Sequence, residues 1–147
     1  LIHHALQKVV AEGTASGLNN RFSGKLGLAG KTGTTNDLRD SWYAGYDGEK
    51  LGVIWMGRDD NEPMGLTGAS GAMQVWSGLY AAAGVMPQQM LMPENVVMHS
   101  VQASTGELAD KGCDDTVQLP FIESGVLPPQ APCAGGSVPG WLPEWFR

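Results

Sequence analysis

Residues Leu28-Ala29-Gly30-Lys31-Thr32-Gly33-Thr34-Thr35 place an ammonium, three hydroxyls and two positions without a side chain in one short run. These are groups that recognise anions. In an extended segment side chains alternate, so Lys31 and Gly33 fall on one side and Thr32 and Thr34 on the other. Gly30 and Gly33 carry no Cβ, which lets a ligand's backbone lie against the strand with the Thr34 N–H aimed at a reacting carbonyl. Such a set suits acyl transfer on a substrate that bears a carboxylate.

Gly-Lys-Thr also closes the phosphate-binding loop of nucleotide hydrolases, whose pattern needs a glycine five positions before Gly30 and a helix after Lys-Thr. That position is Lys25, and Gly33-Thr34-Thr35-Asn36-Asp37 starts a helix poorly. Lys-Thr-Gly is instead the third motif of the penicillin-recognising serine enzymes, beside Ser-x-x-Lys and Ser-x-Asn. Its flanks are Asp40-Ser41-Trp42-Tyr43-Ala44-Gly45-Tyr46 and Val53-Ile54-Trp55-Met56-Gly57-Arg58-Asp59-Asp60-Asn61-Glu62-Pro63. Together these stretches resemble the end of the transpeptidase domain of a class A penicillin-binding protein. The run from Gly57 to Pro63 and Thr67-Gly68-Ala69-Ser70-Gly71-Ala72-Met73 resemble the 1b type. The resemblance extends more loosely to Thr105-Gly106-Glu107-Leu108-Ala109 and Pro120-Phe121-Ile122-Glu123-Ser124-Gly125.

The resemblance implies a serine D,D-transpeptidase that crosslinks peptidoglycan stem peptides at D-Ala-D-Ala, binds β-lactams and needs no cofactor or metal. Lys31 and Thr34 would take catalytic roles. Lys31 would supply positive charge, Thr32 and Thr34 hydroxyls would hold the substrate carboxylate, and the Thr34 N–H would form half of an oxyanion hole. Gly33 would let the substrate lie along the strand. Neither Ser-x-x-Lys nor Ser-x-Asn occurs in the 147 residues, so the nucleophile is expected on upstream polypeptide and the chain is expected to be a fragment. The family is exported and anchored at the periplasmic face of the bacterial inner membrane by a segment near its own N-terminus, which is expected to lie outside this stretch. In that oxidising compartment Cys113 and Cys133 are a candidate disulfide, which loop-closure entropy puts at about 3 kcal/mol; two unpaired thiols are the alternative. A β-lactamase or D,D-carboxypeptidase shares the third motif, and a non-catalytic docking module is a rival from another class.

Composition agrees with one modest domain or part of a larger one: 42% of residues are hydrophobic and the formal net charge is −6. Residues 1–85 hold eight acids and seven bases, residues 86–147 seven acids and two bases, so no basic surface for nucleic acid is expected. No apolar run approaches the roughly 20 residues of a membrane span.

Positioning elements follow from periodicity. Leu1, Ile2, Ala5, Leu6, Val9 and Val10 recur at helical spacing before Gly13, which predicts a helix over 1–12. A Gly/Ser/Asn-rich loop over 14–25 leads to strands at 26–34, 41–46 and 50–57, the last two joined through Asp47-Gly48. Leu51 to Met56 does not alternate, which predicts a strand covered on both faces. A second helix is expected over 70–83, capped by Ser70 and stopped by Gly84. The fold class is α+β: an antiparallel sheet of at least three strands packed with helices over 1–85, then a Pro/Gly-rich extended tail over 86–147, since eight of nine prolines lie beyond residue 85. In the tail, short strands are expected at 95–101, 108–109 and 117–122, with little regular structure over 128–140.

Other conspicuous residues have plain readings. His3 and His4 are adjacent and cannot chelate from one helix face. Asp59, Asp60 and Glu62 lack the glycine and spacing of a calcium loop. Trp42, Trp55 and Trp76 are expected in the core, with Trp42 or Tyr43 able to border the groove, and Trp141, Trp145 and Phe146 are expected to fold back on the domain.

Overall fold

The structure is a computed structural model, and it describes residues 1–89, 91–109, 113 and 115–131. The expectations for Cys133 and for Trp141, Trp145 and Phe146 lie outside the described residues. The chain divides into two units, Ile2–Met90 and Leu91–Arg147.

The first unit is α+β. Helix α1 (Ile2–Ala11) leads through short 3₁₀ turns to strands β1 (Ala29–Thr34), β2 (Ser41–Tyr46) and β3 (Leu51–Met56), and helix α2 (Ala72–Ala83) follows. The strands form an antiparallel sheet in the order β1-β2-β3. β1 begins three residues later than expected because Gly24–Leu26 form a 3₁₀ turn that ends at Gly27, whose φ of 65° a side chain would disfavour. The register aligns Gly30, Gly45 and Gly52 in one row across the sheet. That row is where the aromatic core settles. A Cβ on Gly45 would meet the Tyr43 ring at 2.5 Å, and one on Gly52 would meet Trp76 and Tyr80 at 3.0 Å.

Trp76 is fully buried, stacks on Tyr80 at a centroid distance of 3.7 Å, and meets Tyr43 and Phe22 edge-on at 5.3 and 6.3 Å. Its indole N–H donates to the Gly45 carbonyl at 3.2 Å, so the burial strands no donor. Val9, Val10, Leu18, Leu28 and Met73 complete the core. Trp42 and Trp55 depart from the expected burial: they are 42% and 51% exposed and pair with each other, centroids 6.1 Å apart, on the opposite sheet face. β3 is likewise not covered on both faces. Leu51, Val53 and Trp55 are exposed while Gly52, Ile54 and Met56 turn toward α2, because the pleat sends alternate residues outward whatever their polarity.

Ser70 does not cap α2. Its Oγ accepts instead from the Thr67 N–H at 2.9 Å, and the helix starts two residues later. The Ala72 N–H is satisfied from another strand, by the buried Ser41 Oγ at 2.8 Å, whose own proton goes to the Thr67 carbonyl at 2.8 Å.

The β2–β3 turn is held by Asp47, whose side chain is fully buried. It accepts from the Glu49 and Lys50 N–H groups at 2.9 and 2.7 Å and from the Met86 N–H at 3.0 Å, and pairs with the Lys50 ammonium at 2.9 Å. Burial alone would raise its carboxyl, but these donors overcome burial and hold it at about 2, below the ordinary 3.8. A carboxyl depressed on folding contributes stability that is present above its unfolded value and is lost as pH falls through its folded one. Asp47→Ala is therefore expected to cost about 3 kcal/mol at pH 7. In urea melts the deficit should shrink between pH 4 and pH 2; a constant deficit would contradict this origin.

The second unit forms a four-stranded sheet in the order β6-β4-β5-β7, from β4 (Val96–Gln102), β5 (Leu108–Ala109), β6 (Thr116–Ile122) and β7 (Gln130–Ala131). β7 lies where little regular structure was expected, and it forms by pairing in parallel with β5. β6 is an edge strand containing Pro120 opposite Met98. Glu123 N bonds to Asn95 O, so by alternation residues 122, 120 and 118 direct their backbone groups to the open edge. Proline at 120 thus removes no ladder donor and blunts the edge against pairing. Cys113 is buried, 8% exposed, and disulfide-bonded.

Candidate functional site

The Lys-Thr-Gly segment lies on β1, and among the described residues β1 is an edge strand paired on one side only. Its ladder can be read from the end of the pairing. The Thr35 N–H donates to the Asp40 carbonyl at 3.2 Å, so the 35–40 pair is hydrogen-bonded, as are Gly33–Trp42 and Lys31–Ala44 by the antiparallel alternation. Gly30, Thr32 and Thr34 therefore present their backbone N–H and C=O groups to the open edge.

Lys31 is exposed, and its ammonium wraps round to that edge, donating to the Thr32 carbonyl at 2.8 Å and lying 3.4 Å from Thr32 Oγ1. It makes no ion pair among the described residues. The arrangement brings one exposed cation and one outward amide to the same strip of backbone. Such a strip can hold an anion and polarise a carbonyl.

The side chains alternate as expected, with Lys31 and Gly33 on the face of Trp42 and with Thr32 and Thr34 on the face of Tyr43 and Ser41. Both threonine hydroxyls have partners within the chain. Thr32 Oγ1 lies 2.8 Å from Thr14 Oγ1, and Thr34 Oγ1 accepts from the Gly68 N–H at 2.8 Å. Accepting from Gly68 fixes the Thr34 side chain and leaves its proton free to donate. Thr14 and Gly68 are both distant from β1 in sequence; Thr14 lies in no motif, and Gly68 lies in the run Thr67-Gly68-Ala69-Ser70-Gly71-Ala72-Met73, from which no contact with β1 was read. Gly68 sits directly over the β1–β2 ladder: a Cβ there would lie 2.6 Å from the carbonyl oxygens of Gly33 and Trp42.

The other eye-catching groups stand apart from this edge. His3 Nδ1 lies 2.9 Å from the Tyr46 hydroxyl, and burial holds His3 and His4 below the ordinary imidazole value. Asp60 is bound by Arg58 at the surface. A cavity of about 270 Å³ opens between α1 and residues 19–28, floored by Val10, Phe22 and Leu28 and rimmed by His4, Gln7 and Lys8. None of Lys31, Thr32, Gly33 or Thr34 lines it, since an edge with a single wall encloses no volume.

The α+β unit that carries Lys-Thr-Gly on its edge strand is similar to a segment of penicillin-binding proteins. Over 124 residues, 84% of its length, the chain is 42% identical to penicillin-binding protein 1B of Vibrio cholerae serotype O1, covering 16% of that protein. It is 51% identical over 72 residues, 49% of the chain, to penicillin-binding protein 1B of Haemophilus influenzae, covering 9% of it. Over 91 residues, 62% of the chain, it is 43% identical to penicillin-binding protein 1B of Escherichia coli K12, covering 11% of it. The fold matches the crystal structure of penicillin-binding protein 1A from Haemophilus influenzae with a TM-score of 0.74 at 28% identity, over 87% of this chain and 20% of that one. No family model matches the chain. The chain is homologous to a segment of penicillin-binding protein 1B. No helix among the described residues is long and apolar enough to cross a membrane.

Proposed function

We propose that the open edge of β1 is one wall of the serine D,D-transpeptidase site of a class A peptidoglycan synthase. The observation that carries this reading is the conjunction on one edge of the outward Thr34 N–H and the Lys31 ammonium, which makes no ion pair among the described residues. A serine on polypeptide outside these 147 residues attacks the D-Ala-D-Ala amide carbon of a stem peptide. The serine proton passes into the adjacent lysine network, the peptide C–N bond breaks, and D-alanine leaves with a proton on its amine. An amine of a neighbouring strand then displaces the serine and takes the acyl group.

In this scheme the Thr34 N–H stabilises the oxyanion, and the Lys31 charge steadies both the donor's terminal carboxylate and the nucleophile's proton network. The Thr34 hydroxyl donates to that carboxylate while its lone pair stays on Gly68, and the Thr32 hydroxyl adds a second contact once it turns from Thr14. A β-lactam presents the same carboxylate and a strained amide, and enters by the same route. The parent polypeptide would work at the periplasmic face of the inner membrane, where oxidising conditions favour a Cys113–Cys133 bridge. The second unit after α2 favours a synthase over a β-lactamase or D,D-carboxypeptidase.

A labelled penicillin tests the division of labour. The full-length parent should retain covalent label on a serine outside residues 1–147, and the isolated chain should retain none after denaturation. Label on a serine within the chain would contradict the reading.

A further inference from the structure

The structure assigns Asp40 as a positioning residue for the Thr34 amide, acting through a clamp that ties the ends of all three strands. This rests on reading β1 as the wall of the acylation site. Among the described residues β1 has a strand on one side only, so the direction of its outward amides depends on how firmly its last residues are held. Immediately after Thr34 the chain turns through residues 35–40, where Asp37 and Leu38 take left-handed φ values of 60° and 56°. Such a turn holds its shape only when neighbours enforce it.

Asp40 supplies that enforcement. Its Oδ2 accepts from Thr35 Oγ1 at 2.9 Å, its N–H donates back to Thr35 Oγ1 at 2.8 Å, and its carbonyl accepts from the Thr35 N–H. Its Oδ1 meanwhile accepts from the Trp55 indole N–H at 2.9 Å, reaching past β2 to β3. A Cβ on Gly57 would lie 2.3 Å from the Trp55 ring and 3.0 Å from Asp40 Oδ1, so glycine at 57 is what admits the carboxylate and the indole together. The carboxylate is acceptor-only and takes one donor on each oxygen, which fixes the Thr35 rotor and so the strand end beside Thr34. The opposite side of the same strand end is fixed by Gly68 on Thr34 Oγ1.

The test uses the full-length parent and β-lactam acylation kinetics resolved into pre-covalent binding and the acylation step. Asp40→Ala should slow the acylation step by about 10- to 100-fold while binding before the step stays near wild type. Trp55→Phe keeps the ring and removes one donor, and should slow the same step by about 10-fold or less. Asp40→Asn, which puts a donor against Thr35 or Trp55, should fall between them. Lowered melting temperature with unchanged acylation per active molecule would make Asp40 structural only and overturn the assignment. Lys31→Ala in the same assay separates the two readings. Labelling that survives loss of Lys31 defeats the site itself, whereas labelling lost with Lys31→Ala but unaltered by Asp40→Ala and Trp55→Phe defeats only the clamp.

Discussion

Lys31→Ala in the full-length parent is expected to slow covalent penicillin labelling by about 10²- to 10³-fold, the effect of losing one well-placed group that stabilises developing charge. The expectation follows from what the ammonium does and does not touch. It is exposed and held by the Thr32 carbonyl at 2.8 Å and, more weakly, by Thr32 Oγ1 at 3.4 Å, with no carboxylate partner among the described residues. Removing it breaks no ion pair and opens no cavity, so stability should change by about 0.5 kcal/mol or less, as at an ordinary surface position. Rate and stability should therefore part company. Lys31→Arg should recover little, because a planar fork does not replace a compact charge on a flexible stem. Lys25→Ala, which removes an exposed cation in the loop before β1, should leave labelling unchanged. Labelling rates from rapid-quench gels and melting curves on the same preparations decide the matter, and a docking surface without catalytic part would show no loss at Lys31.

The second large effect is expected at a residue with no side chain. A Cβ on Gly68 would sit 2.6 Å from the Gly33 and Trp42 carbonyl oxygens and 2.8 Å from the Gly33 nitrogen, closer than real Cβ atoms approach. All three are backbone atoms, so no rotamer change relieves the clash. Segment 66–70 must lift from the sheet, breaking the Gly68 N–H bond to Thr34 Oγ1 at 2.8 Å and the Met73 N–H bond to the Gly68 carbonyl at 2.9 Å. Gly68→Ala should cost about 1–3 kcal/mol of stability, as overpacking does. It should also slow labelling about 100-fold, because the displaced hydroxyl and amide lie at the reacting centre. Wild-type labelling and an unshifted denaturation midpoint would show that the contact does not matter.

The local grammar of this chain reaches far into the site. The alternation of Lys31 and Gly33 against Thr32 and Thr34 follows from the two-residue period of any strand, and the end of β2 was legible because Asp47-Gly48 is a hairpin turn signal. What was not legible is long-range. Nothing in the runs around Thr14, Ser41 or Gly68 announces that they meet Thr32, Ala72 and Thr34, since those contacts depend on how helices and loops fold over the sheet. Trp42 and Trp55 were misjudged for a related reason. Hydrophobicity predicts burial only when a second layer covers the face, and the pleat fixes which face a residue takes whether or not it is covered. Ser70 carried the right chemistry for a cap but sits one residue before the cap position, Gly71, and a serine from β2 took the role.

The direction of the Thr34 amide decides whether β1 is a wall of the acylation site. A structure of the full-length parent acylated by a β-lactam should place the acyl carbonyl oxygen about 2.7–3.1 Å from the Thr34 nitrogen, with the ligand's carboxylate on the Thr32 and Thr34 hydroxyls beside Lys31. An acyl group seated away from the β1 edge, with the Thr34 N–H bonded to protein instead, would contradict it.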